Sequence, residues 1–484
     1  MKDLKIGIVG LMQPNFRGDK VSVYKKCLEE LDELSQEMSF ELYYPPELIS
    51  ELAQAQRVLN LMIEEQVDAL FILNASFASG KLIQVFSKLE VPLCLWSVPE
   101  QTSSGPLPQN SFCAMNLNAS ILRRIDPKRK FKWFYGYPSD ELFRTRFSVT
   151  VKALKTLKKL RRSRILLVGG PAPGFDNLVY DATLLRENFG ITVDEMSFDQ
   201  FKTMVQNEIA TDRDVDRLLK RHEEIDELSM MTVEKLSAVV NTVERLSREG
   251  YQAFAISCWP NFRKELSMVP CASFGLLNDE GIVTACEGDV LGAISMLILS
   301  YLADHPSIIL DISSLDLQDG SILFWHCGVG MKSYSKNLKM KKHFNPGPFD
   351  PQKGWIEVAA VSEMIVEPTH ATVLRLTDEG RKFFTFEGEF LSGEKPSFDG
   401  SRGWFGRFKN HRGLSFGVLD LVNTIMINGI EHHFAVVRGG WMSEIVEICY
   451  WADSELIDIE PYTVSAVGGV NDRRSKASND QGHS

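Results

Sequence analysis

Short apolar runs alternate with stretches of helical periodicity through the first half of the chain. Residues 5–10 (KIGIVG) read as a buried strand. Residues 21–34 repeat apolar side chains at Val23, Cys27, Leu28 and Leu31, which is one face of a helix. Residues 40–44 are strand-like, 51–65 helical, 68–74 (DALFILN) strand, 80–88 helical and 92–96 strand. This repetition predicts a parallel sheet with crossover helices. A helix over 147–161 introduces a second series of the same kind. It has a strand at 163–170 (SRILLVGG), a helix at 184–189, a strand at 192–196, a long polar helix from 212 to 250 and a strand at 251–258. Beyond residue 320 the texture changes. Apolar runs at 322–325, 355–361, 371–377, 382–391 and 432–438 are separated by Gly, Pro and Asp clusters, the pattern of antiparallel strands.

The expected fold class is therefore α/β: two Rossmann-like parallel α/β domains, 1–145 and 146–318, followed by a mostly antiparallel, barrel-like β domain, 319–462. A tail rich in Ser, Asn, Asp, Gly and Arg, 463–484, is expected to be flexible. A length of 484 residues fits several cores better than one.

Charge narrows the partners. A net charge of −11 argues against nucleic acid, and the basic runs at 155–162 and 339–343 read as solvated surface. The longest apolar run, 290–303, is bracketed by Asp289 and Asp304 and is too short to span a membrane, so it reads as a buried helix. The N-terminus turns apolar at once and breaks at Gly10, which suits a first strand better than a signal peptide. The eight cysteines form no CxxC pair, so structural zinc is not expected and reduced thiols in the cytoplasm are.

Candidate chemistry gathers at strand ends. Residues 169–175 (GGPAPGF) follow a buried strand as a phosphate-cradling loop would, but match neither GxGxxG nor GxxxxGK[ST], so a plain turn is the simpler reading. In 284–293 (TACEGDVLGA) a strand delivers Glu287 and Asp289 to a turn before an apolar helix. Asp289 suits the helix cap, which leaves Glu287 unexplained. Asp311 interrupts an apolar strand, His326 ends another, and His432 and His433 open a third; neighbours on a strand point to opposite faces. Carboxylates with an imidazole suit a hard divalent ion such as Mn²⁺ or Mg²⁺.

The order CWP (258–260), PCA (270–272), LLNDEG (276–281), CEGD (286–289), HCG (326–328) and HH (432–433) resembles the L-fucose/L-arabinose isomerase superfamily, in particular its fucose isomerase-like members. The resemblance spans about 250–440. It implies an aldose–ketose isomerase acting through a cis-enediol, with Glu287 and Asp311 as catalytic carboxylates. It also implies that Glu287, Asp311 and His433 hold Mn²⁺, with Mg²⁺ or Co²⁺ as alternatives. His326, Trp259, Arg17 and His432 are expected near substrate, and Glu265 ranks below them. The expected substrate is a monosaccharide, of the fucose/arabinose type or a modified hexose such as a sulfosugar. Arg438, Lys332 and Lys336 are candidates for meeting an anionic substituent. A homo-oligomer, hexamer or trimer, is implied. The competing readings are a sugar-binding or non-catalytic homologue and an epimerase.

Overall fold

The apolar run that opens the chain is the strand Lys5–Leu11, flanked in a five-stranded parallel sheet by Glu41–Tyr43 and Ala69–Asn74. Leu93–Ser97 and Phe131–Tyr135 continue the sheet on the far side of Ala69–Asn74. Ala69–Asn74 is buried at every position, as a central parallel strand covered on both faces must be. This sheet and its helices form one of two compact units, Met1–Lys158; the other is Lys159–Ser484. The division falls within the helix Glu141–Leu160. The computed structural model describes residues 4–343, 349–352, 354–355, 360–393 and 395–465. The expected strand at 355–361 lies mostly outside them, as does nearly all of the tail. No helix among the described residues is long and apolar enough to cross a membrane.

The second unit holds two large sheets, besides the two-stranded pair Phe349–Asp350/Gly354–Trp355. One is parallel and four-stranded, in the order Val283–Ala285, Ala253–Ile256, Arg164–Val168, Thr192–Met196. The other is large and mostly antiparallel. Within it six strands close on themselves: Lys382–Phe390, Thr369–Thr377, His433–Arg438, Ile308–Asp316, Ser321–His326 and Ser401–Lys409, the last pairing back with the first. Closure removes sheet edges, which is the barrel character expected for the C-terminal part. The expected boundary at 318/319 falls in the turn of the hairpin Ile308–Asp316/Ser321–His326. Asp311 therefore belongs to the barrel and not to the preceding parallel sheet.

Two expectations about local structure are corrected. The stretch 212–250 is not one helix: Asp212–Leu219 and Met230–Arg248 are separated by Glu224–Ile225, which pairs with Lys339–Lys342. Ser229 caps the second helix through Thr232 N at 3.2 Å, and ladder bonds from Glu223 and Asp226 replace helical ones. The C-terminal region also contains two helices, Val418–Asn428 and Met442–Trp451. The apolar run 290–303 is the buried helix Val290–Ala303, packed on barrel strands Thr369–Thr377 and His433–Arg438.

Candidate active site

Glu287 leaves the short strand Val283–Ala285 on a turn with a left-handed backbone, φ +60°, which costs a non-glycine residue about 1–2 kcal/mol. The next residue must be glycine, because a Cβ on Gly288 would lie 2.2 Å from the carbonyl oxygen of Gly170. The same turn receives a hydrogen bond from the amide of Ala172 to the carbonyl of Glu287, 2.8 Å. The glycine-rich segment 169–175 thus braces the Glu287 turn, and it brings Phe175 to 5.4 Å from the His432 ring.

The other groups come from the barrel. Asp311 and His433 are directly paired residues of neighbouring antiparallel strands, so their side chains leave the sheet on one face. His433 Nε2 lies 3.6 Å from Asp311 Oδ1 and 3.5 Å from Glu287 Oε2. His432 Nε2 lies 3.1 Å from the same Glu287 oxygen. Both histidines therefore reach one site, against the alternation expected for neighbours. The reason is that the strand begins at His433, and His432 precedes its regular pleat. His326 Nε2 sits 3.0 Å from Cys286 Sγ, and its ring lies 5.6 Å from that of His433.

Asp289 fixes the orientation of this cluster. One carboxylate oxygen accepts from Gly292 N at 2.8 Å and caps the helix Val290–Ala303. The other accepts from Arg375 Nη1 at 2.5 Å and from His433 Nδ1 at 2.9 Å. Arg375 is fully buried and also donates to Glu431 at 3.2 Å. A carboxylate on Nδ1 leaves Nε2 facing Glu287 and Asp311, the arrangement that prepares an imidazole to bind a metal.

The two carboxylates titrate in opposite directions. Burial alone would raise Glu287, but the His432 hydrogen bond and the charges of His433, His326 and His432 outweigh it and hold the group below its ordinary value. Asp311 is pushed up, first by burial and further by Glu287. Its Oδ1 is buried and has no hydrogen-bond partner. Glu287 Oε2 and Asp311 Oδ1 each lie about one ligand-to-ligand edge from His433 Nε2; that edge is about 3 Å or slightly more for a divalent ion with oxygen and nitrogen ligands. An orphaned carboxylate oxygen, an ionised carboxylate and an oriented imidazole fit a hard divalent cation.

Glu287 and His326 open onto a cavity of about 230 Å³. Its wall includes four cysteines far apart in sequence: Cys258, Cys271, Cys286 and Cys327. The Cys327 thiol is pulled down by hydrogen bonds from Cys271, His326 and His343, whereas Cys271 and Cys286 are pushed up by their thiol neighbours and burial.

Sulfoquinovose isomerase of Priestia megaterium is 25% identical to this chain over 422 residues, 84% of this chain and 88% of that protein. The sulfoquinovose isomerase of Alkalicoccus urumqiensis is 26% identical over 401 residues, 81% and 86% of the two chains. The chain is thus similar over more than four fifths of its length to sugar isomerases, in keeping with its resemblance to the L-fucose/L-arabinose isomerase superfamily. No family model matches it. A periplasmic solute-binding protein from Actinobacillus succinogenes with bound D-allose matches with a TM-score of 0.17 at 12% identity, over 62% of this chain and 92% of that one, which is too weak to carry an argument.

In this chain five of the expected residues meet: Glu287, Asp311, His326, His432 and His433. Trp259 lines the adjoining cavity, 42% exposed. Arg17 is exposed, in the first unit, between the strand Lys5–Leu11 and the helix Lys20–Glu37. Glu265 pairs with Lys202 at 2.9 Å on the surface and stands outside the cluster. Arg438 stacks on Tyr334 and pairs with Glu367 at 3.6 Å; Lys332 and Lys336 are exposed, and none of the three lines the cavity. Sequence reasoning passed over Asp289 beyond its cap, the four cysteines, and Arg263, the cavity's one lysine or arginine among the described residues. The CWP and PCA segments flank Arg263, and that was the available signal.

Proposed function

We propose that this isomerase is a divalent-metal-dependent aldose–ketose isomerase of a sulfonated hexose, moving a proton between C1 and C2 through a cis-enediol. The reading rests on the meeting of Glu287, Asp311 and His433 around one unpartnered carboxylate oxygen, Asp311 Oδ1. Glu287, kept ionised by the imidazoles around it, is the base that takes the proton from the carbon beside the carbonyl. Asp311, whose environment favours the acid form, exchanges a proton with the sugar oxygens. Glu287, Asp311 and His433 would hold the ion, Mn²⁺ with Mg²⁺ or Co²⁺ as alternatives, and the ion supplies Lewis-acid polarisation of the carbonyl. His432 and Phe175 border Glu287. The names of the relatives support a sulfosugar, since sulfoquinovose is a hexose with a sulfonate on C6. A homo-oligomer, hexamer or trimer, belongs to the same proposal and is read by light scattering on a sizing column.

The test uses chelator-treated protein with and without added Mn²⁺, on sulfoquinovose, glucose, L-fucose and D-arabinose. Manganese-dependent ketose from sulfoquinovose, lost in Glu287→Gln, is expected. A 2-epimer as first product would favour the epimerase, and binding without any product would favour a sugar-binding protein.

A further inference from the structure

The cavity beside Glu287 carries a second kind of chemistry. Arg263 lies on the π-helical turn Phe262–Leu266, which is anchored by Phe262 packed against Phe198, Phe201 and Phe274. A π-turn in place of an α-turn re-aims side chains and is frequent at functional sites. The guanidinium lies over the Trp259 ring at 5.0 Å, and its Nη2 donates to His343 Nδ1 at 3.1 Å. All three residues line the same cavity as Glu287 and His326.

We propose that Arg263, backed by Trp259 and positioned by His343, is an oxyanion subsite that takes the terminal sulfonate of the sugar, a proposal that rests on the sulfosugar reading above. The indole stacks on one face of the guanidinium, and a planar group with five N–H donors can serve a ligand in the cavity alongside its protein partners. A sulfonate offers three acceptor oxygens and stays ionised at every working pH, so the charge-assisted bond persists across the activity profile. Burial lowers the guanidinium's proton affinity, and an incoming anion compensates that desolvation. The carboxylate at Glu287 is surrounded by imidazoles and Arg263 by an indole, an imidazole and thiols, so one cavity presents a site for the reacting carbons and a separate one for a strong-acid tail. Trp259 thereby acquires a defined role, backing the cation that reads the tail.

The experiment measures kcat and KM for sulfoquinovose, glucose 6-phosphate and glucose with the Mn²⁺-loaded full chain, in wild type, Arg263→Met, Arg263→Lys and Trp259→Leu. Arg263→Met is expected to lower the preference for sulfoquinovose over glucose by on the order of 10- to 100-fold, mainly through KM. Arg263→Lys should recover part of it, because the charge returns without the planar fork. Trp259→Leu should fall between wild type and Arg263→Met. Comparable use of glucose 6-phosphate by wild type would assign the subsite to terminal oxyanions in general, and poor use would assign it to sulfonate; both support it. A wild type that prefers sulfoquinovose while Arg263→Met keeps that preference overturns the subsite and leaves the sulfosugar reading standing. A wild type that isomerises only neutral sugars overturns both. Thermal unfolding of each variant with residual kcat on glucose separates loss of fold from loss of recognition.

Discussion

Replacing Asp289 by Asn removes one negative charge from a fully buried position of the site and changes almost nothing else. Asn caps helices about as well as Asp, so the bond to Gly292 N survives and the helix start is preserved. The other carboxylate oxygen receives both Arg375 at 2.5 Å and His433 at 2.9 Å; an amide that turns its oxygen to Gly292 turns its NH₂ toward these two donors. Arg375 is then left fully buried with Glu431 alone. Removing one partner of a buried charge pair costs about 3–5 kcal/mol, and the surviving Glu431 contact places the expected loss near the lower end, about 3 kcal/mol. His433 loses the acceptor that orients it, which lowers metal affinity by about 10- to 100-fold. Urea denaturation of the metal-free protein reads the first quantity, and calorimetric titration with Mn²⁺ reads the second. A variant within about 0.5 kcal/mol of wild type, with Mn²⁺ affinity within about twofold, would refute the reasoning and reduce Asp289 to a helix cap.

Three further outcomes are expected. Because Asp311 is raised, protons compete with the metal for it: Mn²⁺ affinity should rise as pH rises through the Asp311 titration, with proton release visible as a dependence of the calorimetric heat on buffer ionisation enthalpy, and Asp311→Asn should diminish that release. His222, buried with Nδ1 on Leu218 O and Nε2 on Ser362 Oγ, is held down to about 4 by burial and Arg221. The unfolded chain takes up that proton below 6.5 and the folded chain does not, so stability falls with pH between about 6.5 and 4, by about 3 kcal/mol in total; His222→Gln should flatten this part of the urea-midpoint profile, and an unchanged slope would count against it. In a Cys113→Ser background, which removes the exposed thiol, N-ethylmaleimide should inactivate the enzyme by modifying Cys327 and Cys258, and bound sugar should slow the modification mapped by mass spectrometry.

The parallel strands and the buried helix Val290–Ala303 were legible because each is a local pattern, a short apolar run or a periodic one with charged ends. So was the placement of Glu287 and the histidines at or beside strand ends and of Asp311 within an apolar strand, where carboxylates among apolar residues demand an explanation. The break at 220–229 was not: its polar residues are compatible with a helix, and the competing bonds come from Lys339–Lys342, more than a hundred residues away. The meeting of Cys258, Cys271, Cys286 and Cys327 had no local signature for the same reason, since four separate segments supply one thiol each. Alternation misjudged His432, because a pairing rule applies only once pairing has begun.

The chain that lines the far wall of the cavity, Trp259 through Phe274, contributes none of Glu287, Asp311 or His433, and those three depend on a braced turn and two laddered strands. On the roles proposed above, selection of the substrate and execution of the reaction are written in different stretches of the gene. Drift or insertion in the first can redirect such an enzyme to a new sugar while the second is inherited intact, which is how one scaffold would radiate into many specificities without relearning its chemistry.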